Sequence, residues 1–370
     1  MRVLVGASVL SAAGSLPLQI LPFLVLTLVS EGRLDIAYAG WVGSAFLIGM
    51  LSSALLLPAM GFSVLNRWHA LLALSAIVVA IATSIGVRFL PFFLALWYVV
   101  GLACGGLQFL GATTAAAAAN QPQAFALRLA VALFVASAVI VLVSQMGGQK
   151  SYTLLAYCLM GSFTLAACVG LGLYRQIGTV PPVVGNTNPL AAVRNWSGLI
   201  VVFAFFVGQP GFWAYAMQSA SQRGLDLVGA AFVIAASKTI SALVLLYSSK
   251  TGSPSAATRT LLGLGCMVAA GILVMTYSWV VMVFLLGFLI WELALNVLSA
   301  RLQAVVVAAS PGHAGAWITG AILLGAATGP MVHGATIAGG VEVAFIAYAA
   351  LSGLFPFFWV LTRAKMAARV

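Results

Sequence analysis

The chain has 370 residues, of which 63% are hydrophobic and only 6% are charged, and its mean hydropathy is +1.16. Soluble globular proteins carry about 25% charged residues, so this composition excludes a water-soluble globule and indicates an integral membrane protein. Twelve crossings of about 20 residues each leave only short connections, which excludes a large soluble domain. The formal charge of +11 does not indicate nucleic-acid binding, because no basic stretch with interleaved aromatic residues lies outside the apolar runs.

Apolar runs between polar breaks predict twelve membrane-spanning helices, and therefore an all-α membrane protein. The predicted spans are 4–29, 37–58, 69–87, 90–117, 127–146, 153–174, 197–219, 227–248, 260–277, 280–300, 315–338 and 343–362. The first run follows Arg2 in the manner of a cleaved signal peptide, but it continues to Val29, so we expect it to be the first span.

Basic residues are distributed unevenly between the two sets of connections. With a cytoplasmic N-terminus, the cytoplasmic connections hold eleven basic residues and the opposite connections hold four. The eleven are Arg2, Arg67, Arg128, Arg175, Arg194, Lys250, Arg259, Arg301, Arg363, Lys365 and Arg369. The positive-inside rule therefore predicts that both termini are cytoplasmic, which an even number of spans requires. The short connections and small residues are typical of a protein of the bacterial inner membrane.

The longest connection divides the predicted spans six and six. It covers 175–196, contains several prolines, and predicts a first half at 1–174 and a second half at 197–370 joined by a cytoplasmic linker. The second span, from Gly40, and the eighth span, from Gly229, are similar in sequence. Internal symmetry between six-span halves is typical of one large group of transporters.

Glycine-rich runs mark the fourth span at Gly101–Gly106 and the eleventh span at Gly325–Gly334. With the six-plus-six layout and cytoplasmic termini, these runs resemble the major facilitator superfamily (MFS) of transporters over essentially the whole chain. The motif best associated with that family is degraded here to Gly61–His69, where Asn66 replaces the usual aspartate. The resemblance implies the MFS fold, with 12 transmembrane helices in two pseudo-symmetric six-helix bundles around a central cavity.

Two charged side chains fall deep inside predicted spans. Lys238 is twelve residues from Asp226 and twelve from Lys250, about 18 Å from either end, and Glu292 lies about 13 Å inside the end marked by Arg301. Isolated charges at such depth are costly, so they should face a watery cavity or each other. Because the resemblance implies that the eighth and tenth spans line the same cavity, an ion pair between these two residues is feasible.

Two interpretations of this pair remain open. It could be a purely structural buried pair. In the functional interpretation, Lys238 attracts an anionic group of the substrate, while Glu292 exchanges a proton as the cavity changes sides. His333, in the outer part of the eleventh span, is a second candidate for proton coupling, although a lone histidine there is more often simply hydrogen-bonded.

Other polar side chains inside the spans are candidates for substrate contact. Glycines and a proline within Gly208–Gly211 predict a broken or hinged seventh span. The candidates beside this break and elsewhere in the spans are Gln209, Trp213, Tyr215, Gln19, Gln108 and Asn296. Asn296 lies one turn from Glu292 and is also predicted to orient its carboxylate. In the alternative interpretation, the amides join helices and the aromatic residues anchor the protein at the interface.

The sequence predicts neither an enzyme nor a channel. No zinc-protease motif, phosphate-binding loop or paired intramembrane aspartates occur, so we expect no metal and no cofactor. We predict a monomeric secondary active transporter that moves a small organic solute, with an acidic group, by proton-coupled alternating access. Its partners are the substrate, protons and the lipid bilayer. One alternative is a proton-driven exporter of drug-like compounds or of a secreted metabolite such as a siderophore; the other is a non-transporting membrane scaffold or sensor.

Overall fold

The computed structural model describes residues 2–60, 66–116, 118, 121–148, 150–174, 196–250, 258–308 and 314–367. These residues form fifteen α-helices, and no strand occurs among them. In chain order the helices are α1 (Arg2–Gln19), α2 (Leu21–Ser30), α3 (Ile36–Ala59), α4 (Arg67–Gly86), α5 (Leu90–Ala116), α6 (Gln121–Gln145), α7 (Tyr152–Leu173), α8 (Trp196–Ala214), α9 (Ala216–Gln222), α10 (Leu227–Lys250), α11 (Thr258–Tyr277), α12 (Val281–Ala308), α13 (Ala314–Ala338), α14 (Glu342–Ser352) and α15 (Phe355–Ala367).

The helices confirm the predicted all-α, multi-span architecture. By length and composition, eleven segments, with α1 and α2 counted together, can each cross a membrane, and the pair α14 and α15, bent by 46°, is a twelfth if it is one span. For most spans, the predicted first and last residues lie within a few residues of the ends of the corresponding helices. Two spans differ. The helix α6 begins at Gln121 and not at residue 127, so that Arg128 lies inside the fifth span and not in a connection. The helix α12 continues to Ala308 and not only to residue 300, so that Arg301 also lies within a helix.

Connections alternate between the two ends of the helix bundle. We call the end that holds Arg2 and Ala367 the termini end, and the opposite end the far end. The far end is formed by the described residues of the connections at 31–35, 87–89, 146–151, 223–226, 278–280 and 339–341. The predicted linker lies almost entirely within 175–195, outside the described residues, so the division into two domains stays a prediction. We use first half for α1–α7 and second half for α8–α15.

The first and seventh spans are interrupted at corresponding places. Ile20 separates α1 from α2 with φ −104° and ψ 9°, and Tyr215 separates α8 from α9 with φ −106° and ψ 7°. A glycine with positive φ follows each broken span, Gly32 at 63° and Gly224 at 70°. The matching interruptions agree with the internal repeat expected from the sequence.

The seventh span is broken, as predicted, but the break lies at Tyr215 and not within Gly208–Gly211, because α8 continues through Pro210 and ends at Ala214. A Cβ atom on the first of these glycines would lie 2.5 Å from Ser352 Oγ, and one on the last would lie 2.8 Å from the carbonyl carbon of Gly329. The glycines therefore allow α14 and α13 to pack closely against α8. Packing on both sides keeps the helix continuous through the proline.

Glycines also bring α3 and α5 into backbone contact. A Cβ atom on Gly101 would overlap the carbonyl oxygen of Phe46, and one on Gly49 would overlap the carbonyl oxygen of Tyr98. Close backbone approach is a main source of helix association in lipid, where apolar side chains gain little by leaving the bilayer. The glycine-rich fourth span is thus explained by packing within the first half.

The two halves meet in the same way at the far end. A Cβ atom on Gly40 of α3 would overlap the carbonyl oxygen of Pro330 in α13, and one on Gly334 would lie 3.1 Å from the carbonyl oxygen of Ala37. Elsewhere the halves meet where Ser137 of α6 donates to the carbonyl of Ala235 in α10 at 2.8 Å. The far end is therefore closed by helix backbones in direct contact.

Replacing Gly101 with alanine should strongly destabilise the protein. The new methyl group would collide with a backbone carbonyl that cannot rotate away, so we expect a loss of about 3 kcal/mol or more and poor recovery of folded protein. Gly161→Ala is the matched control, because nothing lies within 4 Å of a Cβ atom at that position in α7. Thermal unfolding in detergent measures the difference, and equal stability of the two variants would contradict the packing argument.

Candidate functional site

An ion pair lies in the middle of the second half, at mid-membrane depth. Lys238 of α10 donates from Nζ to Oε1 of Glu292 in α12 at 2.9 Å. The two side chains are only 2% and 4% exposed. The pair that the sequence made feasible is thus formed, and each charge supplies the counter-ion that the other needs in a low-dielectric environment.

The first half also contacts this pair. Lys238 Nζ donates to Oε1 of Gln19 at 2.7 Å, and Gln19 is the last residue of α1, directly before the interruption at Ile20. The ammonium group lies 4.4 Å from the centre of the Trp213 ring, which is suitable for a cation–π interaction. Lys238 is therefore bound from its own half by a carboxylate and an aromatic face, and from the other half by an amide.

Asn296 lies against the carboxylate. Its Nδ2 donates to Oε1 of Glu292 at 3.2 Å and to the backbone carbonyl of the same residue at 2.8 Å. Glu292 Oε1 consequently accepts from both Lys238 and Asn296, an arrangement that holds this oxygen toward Lys238. Contact between Asn296 and a substrate stays a prediction.

Aromatic side chains form a wall beside the ion pair. Trp213 stacks on Trp291 with centroids 5.9 Å apart, and Phe288 contacts both rings. The indole N–H of Trp213 donates to the carbonyl of Leu18 at 3.0 Å, which adds a second contact between the halves near Gln19. The wall therefore fixes the ring that faces Lys238.

Gln209 lies behind this wall and not at the ion pair. Its Nε2 donates to the Ala349 carbonyl and to Ser352 Oγ, each at 2.8 Å, and its Oε1 accepts from Trp291 at 2.8 Å. Its side chain is buried, and these bonds satisfy both polar atoms. These bonds join α8 to α12 and α14. Contact between Gln209 and a substrate stays a prediction.

Tyr215 and His333 lie together at the far end. The hydroxyl of Tyr215 donates to the Ile36 carbonyl in the first half at 3.1 Å, and its ring meets the edge of the His333 ring. His333 stacks on Phe345 at 4.3 Å. Both residues therefore belong to the contacts that close the far end.

The hydrogen bond of His333 fixes its tautomer. Nδ1 lies 2.8 Å from the Gly211 carbonyl, which can only accept, so Nδ1 carries the proton. Nε2 is buried without a hydrogen-bond partner and lies 3.7 Å from Oε1 of Glu342. A proton added at Nε2 would create an ion pair at the closed end. Proton coupling through His333 stays a prediction.

Gln108 belongs to a separate cluster in the first half. It accepts from Ser11 Oγ at 3.0 Å, donates to the Ser11 carbonyl at 3.0 Å, and accepts a second bond from Arg128. Arg128 was predicted to lie in a connection and so was not among the candidate residues, but it belongs to this cluster. The signal was Gln121-Pro122, because proline favours the first turn of a helix and so indicates an earlier start of α6.

No group of three or more histidine, cysteine or acidic side chains suitable for a metal occurs in the described part of the chain. The polar groups available for a ligand are therefore ammonium, guanidinium, carboxylate and amide groups. These groups recognise small polar or charged solutes by hydrogen bonds and charge.

Solved transporter structures share this fold along almost their whole length. The human organic anion transporter MFSD10 (TETRAN) is 17% identical, with a TM-score of 0.69, and the match covers 96% of this chain and 98% of that chain. The partially occluded inward-open xylose transporter XylE from E. coli is 14% identical, with a TM-score of 0.72 and 98% of both chains covered. The nucleoside transporter NupG is 12% identical, with a TM-score of 0.71, covering 98% of this chain and 99% of that chain.

These identities establish the fold alone. The chain has the fold of the major facilitator superfamily, to which the proton:xylose symporter XylE is assigned, and the resemblance stated from the sequence is confirmed at that level. No protein-family model matches the sequence, and no curated protein sequence matches it.

Removing one member of the buried pair should cost more stability than removing both. Lys238→Met or Glu292→Leu alone leaves an unpaired buried charge, at a cost of about 3–5 kcal/mol, whereas the double variant leaves none. SDS titrations at neutral pH measure the free energies of unfolding of the three variants and the wild type. These four values give the coupling energy between Lys238 and Glu292. Additive losses would show that the two charges do not depend on each other.

Proposed function

We propose that this protein is a secondary active transporter that moves a small organic solute with an acidic group by alternating access, coupled to protons at Glu292. Its fold, shared over the full length of transporters described for organic anions, xylose and nucleosides, supports transport in general. Intramembrane charges near the boundary between the halves support a central site.

One observation carries the proposal: the ammonium group of Lys238 binds Glu292 from its own half and Gln19 from the other half. A rocking motion that separates the halves here must break the contact with Gln19. A ligand that takes over this contact therefore binds the two conformations with different affinity. Such a difference is what couples ligand binding to a conformational change.

The charges of the site suggest how a proton and an anion travel together. In the empty site, Lys238 and Glu292 neutralise each other. Protonation of Glu292 leaves Lys238 without a counter-ion, and the anionic group of the substrate can take the place of the carboxylate. The site then carries no net charge either empty or loaded with one proton and one anion, so neither form moves an uncompensated charge through the low-dielectric interior.

The far-end contacts provide the gate in this mechanism. Tyr215 bonds to Ile36 across the halves, and Gly40 meets Pro330, so opening this end must separate these pairs. The interruptions at Ile20 and Tyr215 lie in the first and seventh spans, beside this interface. We propose that the outer segments α2 and α9 change their angle at these two residues when the far end opens.

We further propose that the protein lies in the bacterial inner membrane with its termini end in the cytoplasm. Because Arg128 lies seven residues inside α6 and Arg301 lies seven residues inside α12, nine of the eleven basic residues assigned to the cytoplasmic connections remain, against four at the far end. The asymmetry that supports this orientation is therefore preserved.

The aromatic wall favours a second candidate function, the proton-driven export of drug-like compounds or of a secreted metabolite. Trp213, Phe288 and Trp291 offer a large apolar surface beside Glu292. In this alternative the substrate binds the aromatic rings, and Lys238 only holds the carboxylate.

Replacing Glu292 with glutamine should abolish proton-driven accumulation but preserve exchange. The amide cannot deliver a proton, yet Lys238 remains available to an anion. Uptake of labelled carboxylates into proteoliposomes with an imposed pH gradient measures accumulation, and counterflow without a gradient measures exchange. Asp35→Asn, at an exposed far-end position, is the control. Wild-type accumulation in the Glu292 variant would rule out the coupling role.

Carboxylates should stabilise the wild type against heat more strongly than a Lys238→Gln variant. A ligand that binds only the folded state raises the unfolding temperature, and about 100-fold excess over Kd corresponds to about 2.7 kcal/mol. Purified wild type, Lys238→Gln and the exposed control Lys150→Gln are screened against carboxylates, sugars, amino acids and lipophilic cations. Stabilisation of all three by lipophilic cations alone would favour the exporter, and binding without flux into liposomes would favour a scaffold or sensor.

A further inference from the structure

Arg128 is a basic residue whose guanidinium lies inside the helix bundle. It is seven residues from the start of α6, about 10 Å into the span, and its side chain is only partly exposed. The side chain extends toward α1 and α5 and does not turn back to the termini end. Nε donates to Ser11 Oγ at 2.7 Å, and Nη2 donates to Oε1 of Gln108.

No side-chain carboxylate of the protein neutralises Arg128. The chain has five acidic residues, and all five lie in the described part of the structure. Glu292 is paired with Lys238, and the other four lie at the far end: Glu31, Asp35, Asp226 and Glu342. The termini-side half of the membrane region therefore holds Arg128 and no side-chain carboxylate.

The far-end carboxylates are held in place by their own contacts. Burial raises the pKa of Glu31, but hydrogen bonds from the Tyr152 backbone N–H and from Arg33 outweigh this effect and lower the pKa below its ordinary value. Asp226 accepts from the backbone N–H groups of Val228 and Gly229 at the start of α10. These residues are fixed at the opposite end of the molecule from Arg128.

The guanidinium of Arg128 has N–H donors on Nη1 and Nη2 that bind no acceptor among the described residues. An arginine side chain has five N–H donors, and the structure uses one on Nε and one on Nη2. Among the described residues, nothing accepts from Nη1. The two N–H groups that point outward from Nη1 and Nη2 form the fork that binds both oxygens of a carboxylate or phosphate. Gln108, which uses Nε2 only toward the Ser11 carbonyl, retains one further N–H.

From this geometry we propose that Arg128, Gln108 and Ser11 form a second oxyanion-binding site, which takes a carboxylate or phosphate group. Ser11 and Gln19 are eight residues apart on α1, so along this helix the site lies about 12 Å nearer the termini end than the contact of Gln19 with Lys238. The proposal that this site binds an anion does not depend on transport. The proposal that it is a stage on the route of the anion to Lys238 rests on the proposed function.

The oxyanion supplies the counter-ion that the protein lacks. Ser11 and Gln108 contribute only neutral dipoles, so they position the guanidinium without neutralising its charge. A cation held in a partly desolvated position without a counter-ion is costly, and a bound anion removes that cost. The side chain of Arg128 is partly exposed. A soluble anion and the phosphate of an anionic lipid offer it the same chemistry.

Anion titration of the purified full-length protein tests the site. Inorganic phosphate and citrate are added, at constant ionic strength, to protein in nanodiscs of neutral lipid, and the unfolding temperature is followed. We expect both anions to stabilise the wild type and the control Arg88→Gln, whose arginine is exposed at the far end. Arg128→Gln should weaken the affinity about tenfold or more, because charge-assisted hydrogen bonds are lost.

Two further variants separate this site from the central one. Arg128→Lys keeps the positive charge but loses the two parallel N–H donors, so this variant should bind phosphate with intermediate affinity. If Arg128→Gln does not fold, Arg128→Lys still tests the site. The double variant Lys238→Gln/Glu292→Gln should keep its phosphate response. Loss of the response there, with retention in Arg128→Gln, would overturn this inference and leave the proposed function intact. Stabilisation by phosphatidylglycerol that is lost in Arg128→Gln, without any effect of soluble anions, would keep the site and identify a lipid phosphate as its ligand. No effect of either ligand on the wild type would overturn the inference.

Discussion

Every charge inside the membrane region of this protein must find a counter-ion or water, and the chain has only five carboxylates with which to supply one. Glu292 is the one placed at mid-depth, and Lys238 is bound to it. The four others lie at the far end. This distribution leaves one neutral pair at the centre and an uncompensated Arg128 on the termini side, so the electrostatics of the site follow from where the few acidic residues lie.

The halves are joined by contacts that can separate. In the described part of the chain, each of the three ion pairs lies within a single half, so no salt bridge crosses between the halves. The crossing contacts are single hydrogen bonds, such as those of Lys238 with Gln19 and of Tyr215 with the Ile36 carbonyl, and close backbone approach at glycines. Breaking such contacts is less costly than separating buried charges, which suits a molecule whose halves must rock.

Much of the architecture could be predicted from the sequence. The twelve spans, the depth of Lys238 and Glu292 and the closeness of Asn296 to the carboxylate follow from apolar length and from the fixed rise and pitch of a helix. Where prediction failed, local signals competed with packing. The glycines and Pro210 placed the break of the seventh span within Gly208–Gly211, but contacts with α13 and α14 keep α8 continuous there, and the span breaks later, at Tyr215.

The sequence by itself determined which segments cross the membrane and how deep each polar residue lies, because depth is a one-dimensional quantity set by counting residues along a helix. Only the tertiary structure decided which residues meet, because the rotation of each helix and the choice of its neighbours depend on packing between distant segments. Gln19 reaches Lys238 across 219 positions of sequence, and Arg128 reaches Ser11 across 117. No periodicity within one helix encodes either contact.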